Sequence, residues 1–333
     1  MNREQPSIHQ VARRIGVSPT TVSHALSGNR PVNAQTAARV REVVAELGYV
    51  PATTARNLRA GRTAVIGLIL PDIANTFFSR LARGVEDAAN AEGFSIILCD
   101  TDFDTAREDR YLDLLRSRFI DGLVYIAGSQ AGTRRLGALV SSFPVVLADE
   151  DVADLPGAGR VSADHQQGGR LAGSHLRTLG HRDALVIPGP PGLRSSEDRI
   201  IGFREHFPDP TVTVGDFTES SGYRAVQNAL ADGVVFTAVF ALNDLMAIGA
   251  IAALRDAGLD VPGAVSVVGY DDIPLVDRLS PSLTTIRQPA YEIGRLATEQ
   301  LIGRLNDDTP FVEATLPVEL VVRGSTAKPP VHS

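Results

Sequence analysis

The chain has a single cysteine, Cys99, in 333 residues. That excludes an internal disulfide and a cysteine metal cluster, and its setting in the apolar run SIILCD predicts a buried strand residue. No apolar run approaches the ~18 residues needed to span a membrane. The start MNREQPSIHQVARR has no apolar stretch behind its basic residues, so no secretory signal is expected and the chain is read as cytoplasmic. Catalytic signatures are missing too. No segment fits G-x-x-x-x-G-K-S/T, G-x-G-x-x-G, G-x-S-x-G or H-E-x-x-H, and the seven histidines are scattered without metal-ligand spacing. No enzymatic activity, cofactor or metal is expected. Residues 1–62 contain neither lysine nor aspartate, but nine arginines against three glutamates give them a net charge of +6. The remainder, with 23 basic and 36 acidic residues, carries −13. A basic head is the electrostatic footprint of phosphate contact, whereas a duplex would repel the acidic remainder.

What is present is an ordinary globular composition, 44% hydrophobic and 21% charged, which excludes disorder and fibrous repeats. The length suits two or three compact units. Ile8, Val11, Ala12 and Ile15 recur at helical spacing, Ser7 and Gln10 form a capping box before them, and Gly16 ends the helix. Ser18 caps a second helix that opens on Pro19 and runs to about Leu26. A third spans Ala34 to Leu47, buries Ala37, Val40, Val44 and Leu47, and stops at Gly48. The stretch PATTARNLRAGRT is polar and basic, too short for a core of its own, and reads as a linker with a helical turn or two.

From Ala64 apolar runs alternate with helical segments: AVIGLIL, SIILCD, GLVYIA and VVLAD, then RVSAD, ALVIP, TVTV, AVFAL and SVVGYDD. This is βαβ logic with buried parallel sheets, and the alternation restarts at RVSAD as a second lobe. The tail adds TTIRQ, a helix from Tyr291 to Leu305 and closing strands near residues 313–322, while GSTAKPPVHS is expected to be disordered. The fold class is thus α/β: an all-α helix-turn-helix head of residues 1–50, a linker of 51–62, and a two-lobed doubly wound sensor of 63–333. The first lobe is placed at about 63–160 plus 290–318 and the second at about 161–289 plus 319–324. Two such lobes put a ligand cleft at the carboxyl ends of their strands.

A helix, a tight turn and a second helix exposing Thr20, Thr21, Ser23 and His24 form the arrangement in which the second helix enters the major groove. Hydroxyls there can bond phosphates or base edges, and His24 can donate to guanine N7 or O6. The runs IHQVARRIGVSPTTVSHALSG and VNAQTAARVREVVAELGYVPATTARNLR, followed by IGLILPDIANTFF, LADE, SADHQQGG, RIIGF, ALNDLMAIG, SVVGYDDIP and LTTIRQP, closely resemble the LacI/GalR family of bacterial regulators across nearly the whole chain.

The resemblance implies a transcriptional regulator, a repressor, that binds a pseudo-palindromic operator as a homodimer under the control of a small-molecule effector. It places Pro19, Thr20 and His24 at the main base-reading positions, within a DNA-contacting set of Ser18, Pro19, Thr20, Thr21, Ser23, His24 and Asn29. Linker residues Arg56, Asn57, Leu58 and Arg59 join that set. Leu58 is either a wedge between base pairs of the minor groove or an anchor packed on the sensor. The family's effector positions fall on Phe77, Phe78, Asp149, Arg199, Phe217, Asn243, Asp271 and Gln288, a set of polar groups and rings suited to a sugar. A purine, nucleoside or phosphorylated metabolite is the alternative. Asp244 and Asp272 adjoin two of these positions, and the sequence leaves open which member of each pair is structural. Arg199 is alternatively an ion-pair partner of Asp198 or Glu197.

Overall fold

The computed structural model describes residues 6–27, 30–49, 63–117, 120–129, 133–153 and 155–330. The chain forms two compact units, Met1–Thr63 and Ala64–Ser333.

The head contains α1 (Ile8–Ile15), α2 (Pro19–Ser27) and α3 (Ala34–Leu47). The capping box is formed: Ser7 Oγ accepts from the Gln10 N–H, and the Ser7 N–H donates to Gln10 Oε1 at 2.7 Å. Gly16 ends α1 in the left-handed region at φ 75°, where a side chain would be strained, and so turns the chain sharply into α2. Val11, Ala12, Val22, Val40 and Val43 make the small core. Val43 is the residue of α3 that is fully buried beside Val40. Ala37, expected inside, is half-buried, because the contact stripe runs one position round the helix from the expected one.

The second unit has two six-stranded sheets. The first comprises β1 (Val65–Leu70), β2 (Ser95–Asp100), β3 (Gly122–Tyr125), β4 (Val145–Ala148), β5 (Gly159–Ala163) and β11 (Ala314–Leu316), in the order β11-β5-β4-β3-β1-β2. The second comprises β6 (Ala184–Ile187), β7 (Thr211–Val212), β8 (Ala238–Ala241), β9 (Ser266–Asp271), β10 (Thr284–Arg287) and β12 (Glu319–Val321), in the order β12-β10-β9-β8-β6-β7. Every pairing is parallel except β10 with β12. Helices α4 (Thr76–Ala91), α5 (Thr105–Arg116), α6 (Thr133–Val140) and α11 (Ala290–Asp307) serve the first sheet. Helices α7 (His165–Leu179), α8 (Arg194–Arg204), α9 (Glu219–Ala231) and α10 (Asp244–Asp256) serve the second.

Three expectations need correction. RVSAD does not open the second lobe: β5 pairs with β4 and β11, so the chain first crosses to the second lobe after β5, at Asp164. SIILCD is an edge strand; Cys99 is buried and its thiol is pushed up to about 11 by that burial, but Ile97 and Leu98 are exposed because β2 has a neighbour on one side only. The tail through Pro330 is ordered on the second lobe. Ser325 is buried, its Oγ donates to the Val267 carbonyl at 2.6 Å and accepts from the Thr284 N–H at 2.8 Å, and the Ala327 carbonyl lies 2.9 Å from His181 Nε2.

Paired glycines let helices touch backbone to backbone. A Cβ on Gly169 of α7 would stand 1.9 Å from the Arg199 carbonyl oxygen, and one on Gly202 of α8 would stand 1.9 Å from that of Gln166. This contact fixes α8, and Arg199 with it, against the start of α7. Gly169→Ala should therefore destabilise the sensor by about 1–3 kcal/mol through overpacking. Gly137→Ala, in α6 with its nearest neighbour at 3.8 Å, should gain about 0.5–1 kcal/mol. Urea midpoints of the sensor transition check both, and a tolerated Gly169→Ala would contradict the packing argument.

Candidate functional site

In the head, Pro19 at the first helical position leaves no orphan N–H, and Ser18 Oγ accepts from the Thr21 N–H at 3.1 Å. Ser18 Oγ and Thr21 Oγ1 lie 2.9 Å apart, so these two hydroxyls hold the turn. Val22 faces the core, and Thr20 and Ser23 are exposed with His24 half-buried beside them. Thr20, Ser23 and His24 thus share one outward face at i, i+3 and i+4. Asn29, Arg56, Asn57, Leu58 and Arg59 lie outside the described residues.

The second site lies between the lobes of the sensor. Phe77, Phe78, Asp149, Arg199, Phe217, Asn243, Asp271 and Gln288 all line one cavity, together with Asn75, Phe103, Glu150 and Ser195. The first lobe supplies Phe77 and Phe78 from the first turn of α4, where Asn75 Oδ1 accepts from the Phe77 N–H at 3.0 Å, and Asp149 and Glu150 from the end of β4. The second lobe supplies Ser195 and Arg199 from α8, Phe217 beyond β7, Asn243 beyond β8, Asp271 at the end of β9 and Gln288 beyond β10. Carboxyl ends of parallel strands from both sheets therefore converge. The space open to the centre of a water-sized sphere is about 30 Å³, room for a water or two.

Arg199 is 3% exposed and pairs with neither Asp198 nor Glu197, since Asp198 is bound by Arg194 at 2.9 Å. Its Nη1 donates to the Leu242 carbonyl at 2.6 Å, its Nε and Nη2 each lie 3.3 Å from His165 Nδ1, and its Cζ sits 3.8 Å over the Tyr270 ring. Three carboxyl groups surround this cation. Burial pushes Asp149 up to about 6 against the pull of Arg199. Burial pushes Glu150 up to about 7, although Ser195 donates to it through its N–H at 3.1 Å and its Oγ at 2.5 Å. Burial also raises Asp271 well above the usual carboxylate range. Gln288 Nε2 donates to Asp271 Oδ1 at 2.7 Å. Among the described residues, Asp149 Oδ1 and Gln288 Oε1 have no hydrogen-bond partner.

Asn243 is committed locally: its Oδ1 caps α10 by accepting from the Met246 N–H at 2.9 Å, and its Nδ2 donates to the Phe217 carbonyl at 2.8 Å. The two ambiguous pairs, Asn243 with Asp244 and Asp271 with Asp272, resolve the same way. Asp244 is fully buried and accepts from Thr285 and the Ile273 N–H, and Asp272 is bound by Arg287 and Arg323, so Asp271 and Asn243 are left to face the cavity. Sequence reasoning missed Phe103, Glu150, Ser195 and His165. Only Glu150, next to Asp149 at a strand end, carried a local signal.

Residues 7–52 match the bacterial regulatory proteins, lacI family, and residues 174–326 match the periplasmic binding protein-like domain. The chain is 35% identical over 308 residues to the HTH-type transcriptional repressor PurR of Pectobacterium atrosepticum, covering 90% of each. It is 35% identical over 312 residues to the ribose operon repressor of Escherichia coli K12, covering 91% of this chain and 94% of that protein. This chain belongs to the LacI family. As a LacI-family member it is a DNA-binding transcriptional regulator with a small-molecule sensor, and the resemblance read from its motifs holds. Its fold is similar to that of a lac repressor dimer bound to operator and the anti-inducer ONPF, with a TM-score of 0.87 at 27% identity over 97% of this chain and 100% of that one.

The raised carboxyl groups give the sensor a pH signature. Glu150 is held above its ordinary 4.5, so the folded chain carries an extra proton between about pH 4.5 and 7, and the associated stability is present at low pH and lost as pH rises through about 7. Glu150→Gln mimics the protonated form at every pH. Its stability relative to wild type should rise by on the order of 2 kcal/mol between about pH 5 and pH 8, read from urea midpoints; a constant difference would show that Glu150 is ionised throughout.

Proposed function

We propose that this protein is a cytoplasmic repressor, without enzymatic activity, whose affinity for a pseudo-palindromic operator is set by a free sugar bound between the sensor lobes. The observation that carries the sugar reading is the acceptor-rich chemistry of the cavity. Two buried oxygens, Asp149 Oδ1 and Gln288 Oε1, have no donor, and three carboxyl groups face one guanidinium. A polyhydroxyl ligand brings donors to those oxygens and an apolar ring face to Phe77, Phe78, Phe103 and Phe217. A phosphate ester would bring its charge beside Asp149, with Arg199 already bound to Leu242 and His165. The ribose operon repressor among the relatives makes D-ribose the first probe. No described helix is long and apolar enough to cross a membrane.

On DNA, a homodimer places one α2 in each half-site, with Thr20, Ser23 and His24 toward the bases. Pro19 offers only apolar contact, so base preference rests on Thr20 and His24. Ser18 and Thr21 sit where the helix N-terminus meets the phosphates, Asn29 follows beyond α2, and Leu58 flanked by Arg56, Asn57 and Arg59 enters the minor groove at the operator centre.

Two outcomes test these halves separately. A free sugar at ~100 times its Kd should stabilise the chain by about 2.7 kcal/mol in a thermal-shift screen with D-ribose, other mono- and disaccharides, sugar phosphates and nucleobases. Arg199→Ala should lose that shift while keeping operator affinity, and stabilisation by phosphates or nucleobases alone would contradict the sugar reading. His24→Ala should cost about 1–3 kcal/mol of discrimination at one base pair per half-site in a randomised-operator selection. Unaltered selectivity would remove His24 from base readout.

A further inference from the structure

His165 is the first residue of α7, immediately after the chain crosses from the first lobe to the second, and it is 6% exposed. Its two ring nitrogens reach opposite walls of the site. Nδ1 lies 3.3 Å from Nε and from Nη2 of Arg199 on α8, and Nε2 lies 3.0 Å from the backbone oxygen of Asp149 at the end of β4. A guanidinium can only donate, so Nδ1 is the acceptor and Nε2 carries the hydrogen that the Asp149 carbonyl accepts. Burial, then the charge of Arg199, push the imidazole down to about 3, which agrees with this neutral tautomer. The charged and titratable groups around the ring are Asp149 from the β4 end, with Oδ1 at 3.6 Å, Arg199 from α8, Tyr270 from β9 with ring centroids 6.5 Å apart, and Asp164 preceding it on its own helix.

Arg199 has five N–H groups, and the contacts above use three: two on His165 and one on the Leu242 carbonyl. The Tyr270 ring supports the flat face, with Cζ 3.8 Å from its centroid. Among the described residues, His165 is the hydrogen-bond partner of the Nε edge. The same imidazole ties that edge to the backbone of Asp149, which stands at φ 62°, a conformation that side chains rarely adopt and that needs a partner to hold it.

We propose that His165 is the positioning residue of the effector cavity, orienting Arg199 in the second lobe against Asp149 in the first so that one ligand is read by both. It touches no ligand itself. The proposal rests on the sugar reading only for the choice of ligand. Leucine at this position fills the space and removes both hydrogen bonds. Glutamine carries an acceptor and a donor on one planar group and can restore them.

Two measurements on the full-length chain test it. With histidine labelled in nitrogen-15 and His165→Gln used to assign the signal, Nδ1 should be bare and Nε2 protonated without change between about pH 8 and pH 5, and Arg199→Met should displace the signal. A protonated Nδ1, or a signal indifferent to Arg199→Met, overturns the proposal. Calorimetry with D-ribose should show His165→Leu binding at least about tenfold more weakly than wild type and His165→Gln within about threefold, with similar melting midpoints for the two unliganded variants. Wild-type affinity in His165→Leu, or equal loss in both variants, overturns it as well. If wild type does not bind D-ribose, the choice of ribose falls, and the histidine signals decide the positioning role.

Discussion

The sensor depends on one buried cation. Among the described residues lining the cavity, Arg199 is the sole positive charge, set among Asp149, Glu150 and Asp271, and an unpaired charge at that depth would be costly. The structure surrounds it on three sides: a carbonyl at the end of β8, an imidazole at the start of α7 and the ring of Tyr270 beneath. Each partner comes from a different element, so Arg199 is in place only when the second lobe is folded around it. The close glycine contact between α7 and α8 is part of the same requirement, because it sets the height of Arg199 against His165.

Part of the backbone strain lies on the cavity wall. Asp149, Phe217 and Asp271 all have positive φ, at 62°, 68° and 110°, and all three line the cavity. Such backbone persists where its surroundings over-determine it, and here hydrogen bonds from His165, Asn243 and Gln288 do so. The chain passes between the lobes three times: after β5, after β10 and between β11 and β12. Three chain segments joining two lobes around a ligand site is the arrangement that hinge closure uses. A ligand shifts such an equilibrium only by its differential affinity for the two arrangements, and contacts drawn from both lobes supply that difference.

Much of this was legible in the sequence because it is local. Capping residues Ser7, Gln10, Gly16, Ser18 and Gly48 mark the head's helices at the observed places, and the run-and-helix alternation marks the sheets. The eight positions expected to meet an effector came from resemblance, and all eight line one cavity. What sequence did not show is long-range. RVSAD looks like any other strand until its partners β4 and β11 are known, and GSTAKPPVHS has the composition of a loose tail until Ser266, Thr284 and His181 are seen to bind it. His165 and Ser195 gave no signal, because a lone histidine or serine at a helix start acquires meaning only from Arg199 and Glu150, 34 and 45 positions away in the chain.

On the proposed reading, the cavity between the lobes binds an unphosphorylated sugar and couples that binding to DNA. The most direct test is fluorescence anisotropy of a selected operator duplex with the full-length chain, titrated with free sugars and with their phosphate esters. At least one free sugar should change operator affinity by about fivefold or more, while its phosphate ester should not. A change produced by an ester alone would contradict it.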